Sequence, residues 1–210
     1  MVKTAEMDDP ERALALSYAP AKRRAALQAL FALDARLRRI ALAARDSTIG
    51  LMRLTWWADA LEKLDAGPAP AEPLLRALAA ELPPMGVSGA ALSGLVDGWD
   101  RVLGGDVDWA AVARERGQAL FGLAARLLGG DDPRVGAVGE AWARVDLARS
   151  WPAGAPDPAV LADAFDRPWP VALRPLGALG LLARFELQGG TAPGSPRRVG
   201  RLLLHRLTGR

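Results

Sequence analysis

The sequence predicts an all-α fold, and three observations carry that prediction. Ala, Leu and Arg, which are good helix formers, fill long stretches of the chain. Val, Ile, Thr and Tyr, the residues that favour strands, are scarce by comparison. Apolar residues recur at helical spacing, most clearly from Leu27 to Leu64. With 210 residues the chain can bury one sizeable core but not two. Residues 1–210 are therefore read as a single domain of antiparallel helices around a central space, with 189–210 forming a flexible link and a basic terminal helix.

Asp9-Pro10-Glu11 has the form of a helix start, with Asp9 as cap and Pro10 in the first turn, and Ala19-Pro20 breaks that helix after Tyr18. A second helix is expected over 21–44 and a third over 48–65, separated by the polar break Asp46-Ser47. In the second helix Leu27, Leu30, Phe31, Leu37 and Ala41 share one face, and Asp34 and Arg38 fall on it where apolar residues would be expected. In the third, Leu54, Trp57, Ala58, Leu61 and Leu64 form one stripe, and Ile49, Met52, Trp56 and Ala60 form another. A helix apolar on two sides is expected to be covered on two sides, so Trp56 and Trp57 are both expected to be buried and the whole stretch central.

A Pro/Ala linker over 67–73 leads to a short helix over 74–82, stopped by Pro83-Pro84. The next helix, 88–103, contains Gly94 and Gly98, which let a neighbouring backbone approach. Asp108 caps a helix over 109–128 that ends at Gly129-Gly130. Asp132-Pro133 starts another, reaching about Trp151, followed by a loop over 152–158. A short helix over 160–165, a break at Pro168-Trp169-Pro170, a helix over 173–188 and a Gly/Pro-containing link complete the pattern before the terminal helix. No internal repeat or heptad run is present.

Charge and composition narrow the function classes. The 27 basic and 24 acidic residues give a net charge of +3, which does not suggest a nucleic-acid partner. There is no cysteine and one histidine, His205, so thiolate and multi-histidine metal sites are excluded. The polar N-terminus, MVKTAEMDDPER, reads as neither a secretory signal nor a transit peptide. No uncharged apolar run is long enough to cross a bilayer. These features suit a cytoplasmic protein, with peripheral contact at the inner membrane face as the extension of that expectation.

YAPAKRRAALQALFALDARL followed by Asp46-Ser47-Thr48-Ile49-Gly50-Leu51-Met52-Arg53 and its Trp pair resembles the N-terminal part of the squalene/phytoene synthase family. It is most similar to the branch containing a mitochondrial complex I assembly factor. The resemblance covers 11–64 well, is weaker over 97–151, and returns at the C-terminus. It implies the isoprenoid-synthase fold. Its enzymes condense prenyl diphosphates, using magnesium held by aspartates on two helices that face one cavity.

Carried onto this chain through Leu30-Phe31-Ala32-Leu33, the first aspartate motif falls on Arg38, Arg39 and Leu42, none of them a carboxylate. The second falls on WARVDLARSW, where Asp146 stands for an Asn, Arg149 matches an Arg and Ser150 replaces an Asp. Asp34 lies one turn before Arg38 and is expected to pair with it at i,i+4. An internal salt bridge that plugs the pocket is preferred there to a relocated metal site. The resemblance therefore implies a binding or respiratory-complex assembly-type protein with no metal and no catalytic residue. Its partner would be a protein or a prenyl or lipid ligand. The alternative is a prenyl-diphosphate transferase that uses magnesium through altered ligands.

Other candidates are weaker. Arg53, Trp56, Trp57 and Asp59 could line a pocket, or Trp could be core with Arg53 paired internally. Asp97 and Asp100 read as a solvated face, and His205 as a surface or internally satisfied residue. The terminal RRVGRLLLHRLTGR leaves two readings open, a membrane-surface anchor over 197–210 or a helix docked on the body.

Overall fold

The computed structural model describes residues 9–154, 158–189 and 191–210, and the loop expected at 152–158 and the link at 189–196 fall partly outside these. The first eight residues, which include most of the expected signal-free N-terminus, lie outside them as well. Among the described residues nine α-helices follow one another: α1 (Pro10–Leu16), α2 (Ala21–Ala43), α3 (Ser47–Glu62), α4 (Pro73–Glu81), α5 (Gly89–Val102), α6 (Trp109–Leu128), α7 (Arg134–Ala148), α8 (Arg174–Gln188) and α9 (Pro196–Thr208). No strand occurs among the described residues, and none of their helices is long and apolar enough to cross a membrane.

Local chemistry sets most of the boundaries. The Asp9 carboxylate accepts hydrogen bonds from the backbone N–H groups of Glu11 and Arg12, each 3.0 Å, and Pro10 fills the first turn of α1. Asp46 and Asp108 cap α3 and α6 in the same way. Gly129, at φ +67°, closes α6 in the left-handed conformation that a side chain would resist. The short helix expected over 160–165 is instead two 3-10 turns, Pro158–Leu161 and Asp163–Phe165.

α2 runs through the middle of the bundle and touches α1, α3, α4, α5 and α6. Its Leu27, Leu30, Phe31, Leu33 and Leu37 are fully buried. Phe31 meets Phe121 of α6 and Trp142 of α7 at ring distances of 6.1 and 5.8 Å, joining three helices at one aromatic node. α6 and α7 approach so closely that Gly117 of one and Gly139 of the other meet backbone to backbone.

α3 corrects an expectation. Its Leu54–Trp57–Leu61 stripe is buried, but Ile49, Met52 and Trp56 of the second stripe are 52%, 67% and 49% exposed. Partners cover only one side, because α3 lies at the edge of the bundle against α5 and α2. Two apolar stripes thus mark one buried face and one open one. Gly98 packs against α6, where a methyl group added to it would lie 3.5 Å from Arg116 Cβ, whereas Gly94 faces open space.

The terminal helix α9 is docked on the body. Arg198, Leu202 and His205 form its buried face. Arg198 pairs with Glu11 at 2.7 Å and with Glu186 at 2.9 Å, which ties α9 to α1 and α8. The Gly209 carbonyl accepts a 2.7 Å hydrogen bond from Trp169 N.

Candidate functional site

The polar positions that face inward from α2 meet their partners on α6 and α7. Asp34 is 1% exposed and does not pair with Arg38 as expected. Its carboxylate is held by Arg116 of α6 in a two-pronged contact, Nε to Oδ1 at 2.8 Å and Nη2 to Oδ2 at 2.7 Å. The same Nη2 donates to Asp146 Oδ2 of α7 at 2.8 Å. Arg38 reaches across to α7 instead, with Nε 3.4 Å from Asp146 Oδ2 and Nη2 donating to Ser150 Oγ at 2.6 Å. The i,i+4 pairing loses because Arg116 enters from a facing helix with ideal fork geometry, leaving Arg38 free to turn outward.

Arg116 is almost wholly removed from water, and its guanidinium lies 4.4 Å from the Trp99 ring and 5.0 Å from that of Trp142. Burial alone would drive its pKa down, but Asp34 and Asp146 outweigh that effect and hold it above the ordinary arginine value. Burial likewise disfavours the charged form of Asp146, and Arg116, Arg12 and Arg38 reverse this and hold its pKa below the usual carboxylate value. Arg12 of α1 is sandwiched between Phe31 and Trp142, with its Nη2 3.9 Å from Asp34 Oδ2. There burial prevails and lowers its pKa.

Outward of this network lies a cleft of about 450 Å³ between α1, α2, α7 and α8. Arg12, Arg38, Arg39 and Arg149 give it four cations, against the carboxylates of Asp9, Asp146 and Glu186. Leu42, Val145, Leu182 and Ala183 supply apolar wall. Arg149 sits at the mouth, 3.6 Å from Asp9 and 3.7 Å from Glu186.

Six of the motif positions therefore come together at one place: Arg38, Arg39, Leu42, Asp146 and Arg149 line the cleft, and Ser150 is bonded to Arg38. Arg53, Trp56 and Asp59 do not join them. They lie on the open face of α3, because the buried stripe of that helix is the one led by Trp57. Asp97 is exposed as expected, but Asp100 is half-buried, and burial together with Asp97 raises its pKa. His205 is internal, fully buried, with Nε2 donating to the Arg174 carbonyl at 3.1 Å.

Sequence reasoning missed Arg116 and Arg12. The signal for Arg116 was present, since Val112, Arg116, Leu120 and Leu127 follow one helical stripe, the pattern that singled out Asp34. Arg12 carried none, because its burial comes from two aromatic rings on other helices.

The residues present do not fit the magnesium that the alternative, transferase reading needs. Both inward carboxylates are already paired with Arg116, and a guanidinium, Arg38, stands beside Asp146. Among the described residues no cluster of three acidic or histidine side chains is placed to hold a metal ion.

No curated protein and no solved structure matches the chain significantly. The model of the squalene/phytoene synthase family does match it, over residues 6–153, a span that holds α2, α6, α7 and the whole charged network. The chain belongs to the squalene/phytoene synthase family.

Proposed function

We propose that this protein is a family member without prenyl-transfer activity, acting as a binding or assembly-type protein of the kind suggested by its likeness to the complex I assembly branch. One observation supports the reading: Asp34 and Asp146, the carboxylates that face inward from α2 and α7, are both taken up by the buried guanidinium of Arg116. A transferase needs several free carboxylates to gather magnesium at a departing diphosphate. Here the carboxylates neutralise arginines instead.

The cleft keeps a binding capacity of another kind. Arg12, Arg38, Arg39 and Arg149 face a space with apolar wall at Leu42, Val145 and Leu182. Guanidinium groups hold anionic groups directly, without a metal bridge. The ligand class that suits this lining has an anionic head and an apolar body, such as a prenyl phosphate or a lipid.

The deciding experiment measures diphosphate release from farnesyl or geranylgeranyl diphosphate with magnesium present. The expected result is no turnover above the protein-free control. Release that disappears with a chelator and in Asp146→Asn would overturn the non-catalytic reading and favour the transferase.

A further inference from the structure

On the far side of α8 from the charged cleft, α8 and α9 form a second groove of about 410 Å³. Arg184, Arg197 and Arg201 line it together with Leu181, Phe185 and Leu204, and among the described residues no carboxylate contributes to its wall. None of these three arginines is ion-paired among the described residues. This sets the groove apart from the first cleft, where every carboxylate faces an arginine.

The outer surface of α9 continues the feature. With Arg198, Leu202 and His205 turned into the body, helical geometry places Leu203, Leu204 and Leu207 on the opposite side. They are 44%, 46% and 75% exposed. Arg197 and Arg201 run along one edge of this apolar strip, and Arg206 lies on the other. A docked helix that still presents leucines outward between flanking arginines has the pattern of an interfacial helix. The groove beside it is large enough for a phosphate headgroup and has unneutralised cations to receive it.

We propose that the α8–α9 face is a peripheral membrane-binding surface for anionic phospholipid. Arg184, Arg197 and Arg201 receive a headgroup phosphate, while Leu203, Leu204 and Leu207 enter the boundary with the acyl chains. Docking on the body and contact with the membrane use different sides of α9, so the two readings of the C-terminal sequence hold together. The proposal does not depend on what the first cleft binds.

The test is co-sedimentation of the full chain with vesicles of phosphatidylcholine alone and of phosphatidylcholine mixed with phosphatidylglycerol. Binding is expected only to the mixed vesicles, with loss at high salt, because exposed charges are screened. Each arginine near an anionic surface contributes about fivefold in affinity, so Arg197→Gln with Arg201→Gln should bind roughly thirtyfold more weakly. Leu203→Ser with Leu207→Ser should also release the protein. Thermal melts of both double variants should match the parent, because the altered side chains are not in the core. Equal binding to neutral vesicles, undiminished binding by folded variants of both kinds, or a dimer that covers Leu203 and Leu207 and ignores vesicles would each overturn the proposal.

Discussion

Gly117 of α6 and Gly139 of α7 lie against each other, so that a methyl group on either would overlap the carbonyl oxygen of the other. Arg116 is the residue beside one of them, and Asp146 is two helical turns beyond the other. The close approach of these backbones therefore fixes the spacing across which Arg116 reaches Asp146. Gly139→Ala would also meet Phe121 Cβ at 2.9 Å. The helices must separate, and overpacking of this kind costs about 1–3 kcal/mol or more. Urea unfolding should show that loss for Gly117→Ala and Gly139→Ala but not for Gly94→Ala, whose added methyl would meet nothing within 4 Å.

Removing the central cation should be costlier than removing its neighbours. Arg116→Met leaves Asp34 and Asp146 buried together with only the longer contacts to Arg12 and Arg38, which is expected to cost about 3–5 kcal/mol. Converting the two aspartates to asparagine in the same protein should restore part of the loss, because the uncompensated carboxylates are then gone while Arg12 loses Asp34 as its partner. If the triple variant is as unstable as Arg116→Met, packing by the arginine stem, rather than charge pairing, would be its contribution.

The adjacent tryptophans of α3 should behave unequally. Trp57 is buried, and Trp57→Ala is expected to destabilise by about 3–5 kcal/mol. Trp56 is half-exposed, and Trp56→Ala should change stability by less than about 1 kcal/mol. Chemical denaturation of the two variants side by side checks this.

His205 predicts an acid-side loss of stability above the carboxylate range. Burial, with Arg174 and Arg201 nearby, lowers its pKa to about 4 despite the hydrogen bond to the Arg174 carbonyl. An unfolded histidine titrates near 6.5, so between those values the unfolded chain binds more protons than the folded one. Stability therefore falls as pH drops through that window, by about 2 kcal/mol between roughly pH 7 and pH 5. It is the sole histidine in the chain, so a His205→Gln variant should lack this slope. Below it, the carboxylate of Asp146 adds a second loss of stability as its lowered pKa is passed.

Much of the fold was legible because it rests on local rules. Asp9, Asp108 and Gly129 mark helix ends by chemistry that acts within a few residues, and the helices start and stop close to where those residues place them. The site was legible in part. Asp34 and Arg38 stood out as polar residues on an apolar stripe, whereas Asp146 and Ser150 were reached only through the resemblance to the family's second motif. Which partner each would choose depended on the α6–α7 approach, set by two glycines that read as ordinary helix residues. The error at Trp56 has a different origin: periodicity reports that a face is apolar, not that another element covers it.

The stacking of Arg116 on Trp99 and Trp142 also makes the network visible to light. Trp151 lies 5.6 Å from the Arg38 guanidinium and 6.1 Å from both Trp99 and Trp109. Three of the seven indoles, Trp99, Trp142 and Trp151, thus lie against the arginines of the network, with Trp109 packed on Trp151. Indole emission responds to nearby charge and to water, so any event that rearranges Arg38 or admits solvent beside Arg116 changes the intrinsic fluorescence of the unlabelled protein. Ligand titrations can be followed by indole emission without a dye, over a background from Trp56 and Trp57 of α3 and from Trp169.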